Sequence, residues 1–190
     1  MAEGPPRAVL DACVLYPSVL REILVEVARA GGLVPLWSPR ILAEWAHAAR
    51  RRGDDAGPAL AALTTEFPAA EVDVADGAEA ALDLPDPADA HVLAAAIAGR
   101  ATLIVTQNLR DFPARALAPH GLRAEAPDAL LMRLWLERPD LITTAVAHVV
   151  AETERHSGRR QPLRALLRRA GLPRLGKALA PRTNPGPTHD

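Results

Sequence analysis

The 190-residue sequence predicts an α/β fold in which a short parallel sheet is covered by helices on both faces. Three observations predict it. Short apolar runs, of which Ala8 to Leu10 and Thr102 to Thr106 are the clearest, are bounded by polar turn residues. Between the runs lie segments with apolar residues at helical spacing, opened by serine or proline and closed by glycine. Finally, aspartates follow two of the runs, Asp11 directly and Asp111 five residues on. Ligands of such sheets bind outside the carboxyl ends of the strands, so both acids are predicted at that edge.

Each element has its own signal. After a loose start through Pro6, Ala8 to Leu10 reads as a buried strand. From Ser18 to Ala30, Leu20, Ile23, Leu24 and Val27 follow the i, i+3, i+4, i+7 spacing of a helix, and Gly31-Gly32 ends it. Leu33 to Trp37 is a second apolar run, assigned to a sheet edge by Pro35. Ser38-Pro39 supplies an N-cap and a first-turn proline to a helix buried through Ile41, Leu42, Trp45, Ala48 and Ala49. Arg50 to Arg52 suit its negative end. Residues 58–67 predict another helix, Val72 to Val74 an extended piece, and Ala78 to Asp83 an alanine-rich helical stretch.

Asp86 and Pro87 open a helix that runs to Ala98 and ends at Gly99, and the strand TLIVT follows. Pro113 starts a helical turn, and Leu122 to Ala124 a last small strand. Helices are then predicted from Pro127, from Pro139 to Glu154, and from Pro162 to Ala170, the last stopped by Gly171 and Pro173. The expected organisation is a catalytic-type domain over 7–125, a helical extension over 126–180 that is basic from 155, and a disordered tail over 181–190.

Composition narrows the function. One cysteine, Cys13, excludes an internal disulfide framework and a CxxC zinc site. Aromatics are 3%, too few for stacking platforms. The start lacks a signal peptide pattern, and no stretch approaches the roughly 18 apolar residues of a membrane span, so a soluble, cytoplasmic protein is expected. The net charge of −1 hides a division: residues 1–154 carry 13 Arg against 22 acids, or −9, whereas 155–182 carry eight Arg and Lys177 with no acid, or +9. A basic block on an acidic body is either a solvated tail or a contact for nucleic acid or an acidic surface. Arg159, Arg160, Arg168 and Arg169 are its candidate RNA contacts, because guanidinium forks suit phosphates.

The carboxylates carry the chemistry. Asp11 interrupts an apolar run, where a buried charge needs a partner. Glu44 borders the apolar side of its helix, either as filler paired with His47 or as a site acid. Asp86 is most simply an N-cap, and Asp89, at N3, is a capping-box acid or an inward-facing ligand. His91 reads as a polar helix residue, having no second histidine at i+3 or i+4. Asp111 is a turn acid or a ligand. Two carboxylates about 4 Å apart repel by roughly 4 kcal/mol at an effective dielectric near 20, so a cluster needs protons or a divalent cation. An all-oxygen set favours Mg²⁺ or Mn²⁺ over zinc.

Four stretches, Val9 to Leu15 (VLDACVL), Trp37 to Trp45 (WSPRILAEW), Asp86 to Ala94 (DPADAHVLA) and Thr106 to Phe112 (TQNLRDF), resemble in order and context the PIN-domain ribonucleases, most closely toxins of VapC-type toxin–antitoxin pairs. The resemblance covers about residues 7–125. Arg164 to Leu175 is similar to the C-terminal extension of one VapC subgroup. It implies a three-layer α/β/α fold, Mg²⁺ or Mn²⁺, endonucleolytic cleavage of RNA, inhibition by a small antitoxin protein, and dimers. Asp11, Glu44, Asp89 and Asp111 would carry the metal, with Asp86 auxiliary and Thr106 and Asn108 in support. The rivals within reach are a non-catalytic PIN-like module that binds RNA or protein, and a PIN-type nuclease of housekeeping RNA processing. A haloacid-dehalogenase-type phosphatase fails because Cys13 stands where its second acid belongs. A receiver domain lacks its lysine, and dinucleotide binding lacks GxGxxG.

Overall fold

The structure is a computed structural model and describes residues 4–180; the tail 181–190, expected to be disordered, and Arg182 of the basic block lie outside the described residues. The chain runs β1 (Arg7–Leu10), α1 (Ala12–Leu15), α2 (Ser18–Arg29), β2 (Val34–Leu36), α3 (Pro39–Arg51), α4 (Gly57–Glu66), α5 (Ala90–Ala98), β3 (Leu103–Val105), α6 (Ala114–Leu117), β4 (Arg123–Glu125), α7 (Pro127–Glu137), α8 (Pro139–Ser157), α9 (Leu163–Arg169) and α10 (Pro173–Leu179). Three single 3₁₀ turns stand at Pro87–Asp89, Leu109–Asp111 and Ala118–His120.

The four strands form a parallel sheet of order β2-β1-β3-β4, with Val9 opposite Leu36 on one side and Ile104 on the other. Consecutive strand residues face opposite sides of a sheet. In β1, Ala8, Val9 and Leu10 are all buried, as are all three residues of β3, so helices cover both faces. Pro35 lies in the edge strand β2, where its missing N–H leaves no central ladder bond unmade. The start is less loose than expected, since the Pro6 carbonyl accepts the Val34 N–H at 2.9 Å.

The C-terminal helices share the core of the sheet. Leu130, Ile142, Val149, Leu167, Leu172 and Leu175 belong to the same buried cluster as Val9 and Ile104. Helix α8 packs along α2, and α10 packs on α7 and α9. Asp128, 8% exposed, accepts the N–H groups of Arg174 and Leu175 at 3.0 Å each, fastening the start of α10 to the start of α7.

The chain after Asp11, to which the sequence patterns assign no element, forms the short helix α1. Three local expectations need correction. Ala78 to Ala81 are turns after Gly77 (φ +76°), with N–H to carbonyl bonds three residues back; Ala78, Ala80 and Ala81 are exposed, so no buried apolar face supports a helix there. The extended piece near Val72 is a single bridge from Trp37 to Glu71. Pro173 does not end the helical region; it opens α10 from the first-turn position that tolerates proline.

Candidate functional site

Asp11 stands where β1 ends. Its N–H donates to the Val105 carbonyl of β3 at 3.1 Å, which anchors its backbone to the central strand pair. It occupies the N-cap position of α1 without capping it. Its side chain, in a residue 7% exposed, accepts from the β3 exit instead. The Thr106 hydroxyl donates to Asp11 Oδ2 at 2.7 Å, and the Cys13 thiol donates to the same oxygen at 3.1 Å. Each donor is itself held by the loop after β3: the Asn108 N–H donates to Thr106 Oγ1 at 3.0 Å and the Gln107 N–H to Cys13 Sγ at 3.2 Å. Burial and the charge of Asp11 push the Cys13 thiol up to about 12, so it stays protonated and remains a donor. Two relays thus converge on Oδ2, and Oδ1 has no hydrogen-bond partner among the described residues.

Asp89 closes the 3₁₀ turn that leads into α5. Burial, followed by the negative charges of Asp11, Asp111 and Asp86, pushes its carboxyl up to about 6. Asp86 is exposed and caps the turn, its Oδ1 accepting the Ala88 N–H at 2.9 Å. Glu44 projects from α3. Burial raises its pKa, Arg40 opposes the rise, and Asp11 and Asp89 add to it. Asp111 ends the second 3₁₀ turn with its side chain 19% exposed and one oxygen 3.7 Å from Arg110 Nε. Asn108 contributes its backbone N–H; the residue is exposed.

The sheet therefore brings Asp11, Glu44, Asp89 and Asp111 into one electrostatic neighbourhood at its carboxyl edge, with Asp86 at the margin. The acids are coupled but not converged: among the described residues no three His, Cys, Asp or Glu side chains are arranged to hold a metal ion as they stand. The donor chemistry nonetheless fits a hard divalent cation, being four carboxylates whose mutual repulsion such a charge would offset.

Three contributors escape the sequence reading. Cys13 supports Asp11. Glu44 pairs not with His47, which is exposed, but with His91, whose Nε2 lies 2.9 Å from Glu44 Oε1. Arg40 Nε approaches the same oxygen at 3.6 Å. A signal for His91 existed: Ala90 to Ala96 of α5 are all buried, so a polar residue inside that run must find a partner. Of the basic block, Arg159, Arg160, Arg168 and Arg169 are exposed, Arg169 donating to Gln161 at 2.9 Å. Gly171 (φ +77°) follows α9 so close to the loop after β3 that an added Cβ would lie 3.1 Å from Gln107 Nε2. The basic helix thus ends beside the acidic edge.

A parallel sheet of this order with coupled acids at its carboxyl edge defines an acidic-site α/β protein. The chain belongs to the PIN domain family, whose family model matches residues 7–110, a span that holds Asp11, Glu44, Asp86, Asp89, Thr106 and Asn108. Over 62 residues it is 45% identical to a Mycobacterium tuberculosis (strain ATCC 25618 / H37Rv) protein named "Putative ribonuclease VapC50", a match covering 33% of this chain and 34% of that protein. The chain thus spans about a third of the length of the curated relative it matches. No solved structure matches.

Proposed function

We propose that the protein is a metal-dependent endoribonuclease that hydrolyses RNA phosphodiester bonds, acting as the toxin of a type II toxin–antitoxin pair. The observation that carries the reading is Asp89, whose carboxyl is pushed up to about 6 by burial and by three neighbouring acids. Like charges gathered in this way at a strand edge favour a cationic ligand, and perturbed acids cluster at functional sites. Asp11, Glu44, Asp89 and Asp111 would hold Mg²⁺ or Mn²⁺, with Asp86 auxiliary. Such an ion, when bound, supplies activation of water and stabilisation of charge on the phosphate oxygens.

The chain's own residues do the rest. Thr106 and Cys13 fix Asp11 through Oδ2 and leave Oδ1 uncommitted. Asn108 steadies Thr106 from behind. Arg159, Arg160, Arg168 and Arg169 hold the RNA backbone, as guanidinium groups do with phosphate oxygens. The name of the ribonuclease relative supports RNA as the substrate. A cognate antitoxin as partner, a dimer and action in the cytoplasm complete the proposal. Among the described residues no helix is long and apolar enough to cross a membrane.

The test is incubation of purified protein with structured RNA. Cutting with Mg²⁺ or Mn²⁺ that stops with EDTA supports the proposal; binding without cutting would favour the non-catalytic module. A small antitoxin-like reading frame immediately upstream separates the toxin from housekeeping RNA processing.

A further inference from the structure

A cavity of about 560 Å³ opens where the C-terminal helices meet the first half of the chain, a volume in the range of small-ligand pockets. Its walls include Tyr16 at the end of α1, Arg21 of α2, Trp45 of α3, Asp54 of the loop before α4, and Arg169 and Ala170 at the end of α9. Two of these walls tie it to the acidic edge. Tyr16 follows Asp11 across α1, and at a helical rise of about 1.5 Å per residue the two backbones stand roughly 8 Å apart. Ala170 adjoins Gly171, which abuts Gln107, whose N–H holds the Cys13 sulfur that donates to Asp11.

The walls differ in charge. Arg21 is committed to the protein: it donates to the Leu15 carbonyl at 2.8 Å, pairs with Glu22 at 3.2 Å and lies over the Trp45 ring. Arg169 brings a charge from the basic helix, and its bond at 2.9 Å goes to the neutral Gln161 amide, which does not compensate that charge. Asp55 is tied to the start of α4, its Oδ1 accepting the Gly57 N–H at 2.8 Å, whereas Asp54 accepts the Tyr16 O–H at a long 3.5 Å. An inorganic anion would suit Arg169 and not Asp54, and a simple cation the reverse. A nucleotide suits both, with an anionic phosphate for the guanidinium and base N–H groups for the carboxylate. Guanine alone among the RNA bases presents two adjacent N–H donors on its pairing edge, a match for two carboxylate oxygens. Aromatics at 3% argue against an extended stacking surface, but one base needs one ring, and half-buried Tyr16 stands at the wall.

We propose that this cavity is a subsite for one unpaired guanosine nucleotide of the RNA, its base on Tyr16, its two N–H donors on Asp54 and its phosphate on Arg169. Its place beside the reaction rests on the ribonuclease reading.

The test uses the full chain in EDTA, so that RNA binds without being cut, and follows the fluorescence anisotropy of the labelled hexaribonucleotides UUGUUU and UUAUUU. We expect wild type to bind the guanine-bearing RNA about ten-fold more tightly. Asp54→Asn should abolish that preference without weakening the binding of UUAUUU, and Tyr16→Leu should weaken the binding of UUGUUU about ten-fold. No binding of either RNA, equal affinity for the two, or a preference that survives Asp54→Asn overturns the subsite. Wild-type affinity in Tyr16→Leu also overturns it and leaves the cavity to a protein partner. If Tyr16→Leu does not fold, Asp54→Asn, at an exposed position, still decides. Cleavage in Mg²⁺ separates the two readings: cutting without a guanine preference in binding overturns the subsite alone, and the preference without cutting overturns the ribonuclease reading alone.

Discussion

Thr106 Oγ1 donates to Asp11 Oδ2 at 2.7 Å across the seam between β1 and β3, 95 residues apart in sequence. Both groups are buried, and the same hydroxyl accepts the Asn108 N–H. Thr106→Val keeps the shape and removes both bonds. It should cost about 2 kcal/mol of stability, the scale of a hydrogen bond to a charged group, and lower RNA cutting. Thr106→Ser should retain most of both. Chemical denaturation and a cleavage assay check it.

Asp89 sets a pH signature. Its folded-state carboxyl titrates near 6, above the ordinary aspartate value of 3.8, so the fold binds that proton more tightly than the unfolded chain does. The stability linked to that proton is fully present below the ordinary range and is lost as pH rises through about 6. Asp89→Asn removes the charge, so in metal-free buffer above that pH it should melt at a higher temperature than wild type, with the gap closing towards pH 4. Thermal melts across pH check the sign. The same variant should lose RNA cutting, the usual trade between site repulsion and stability.

Asp128 is a structural fastener rather than a site acid. Asp128→Ala strands the N–H groups of Arg174 and Leu175, and should cost about 1–3 kcal/mol. Hydrogen exchange should quicken first in α10 while the central strands stay protected.

The basic block is best tested by charge rather than by deletion, because Leu167, Leu172 and Leu175 are fully buried in the shared core. Replacing Arg159, Arg160, Arg168 and Arg169 by glutamine should weaken RNA binding and reduce its log–log salt slope by up to about 3. An unchanged slope would return the block to solvated surface. Filter binding across salt concentrations reads it.

What the sequence revealed followed from local rules. Strand β3 and helix α3 announced themselves through β-branched runs and the Ser38-Pro39 start, and Asp11 through the cost of a charge in an apolar run. Partnerships that depend on tertiary placement stayed hidden. Cys13 and Gln107 meet only because β1 and β3 are adjacent, and Glu44 finds His91 only because α3 and α5 come together. Helix α1, four residues long, carries no periodic signal, and α10 is hidden because a proline that opens a helix also suits the stretch just after one.

The central claim is that these carboxylates form a metal-dependent site for RNA hydrolysis. Its most direct test is the rate of RNA cleavage in Mg²⁺ or Mn²⁺ by wild type, Asp11→Asn and Asp89→Asn, each shown to be folded by its thermal melt. The account predicts cutting by wild type that EDTA abolishes, and a loss on the order of 100-fold or more in both variants. Full cutting by either variant, or wild-type cutting that survives EDTA, would contradict it.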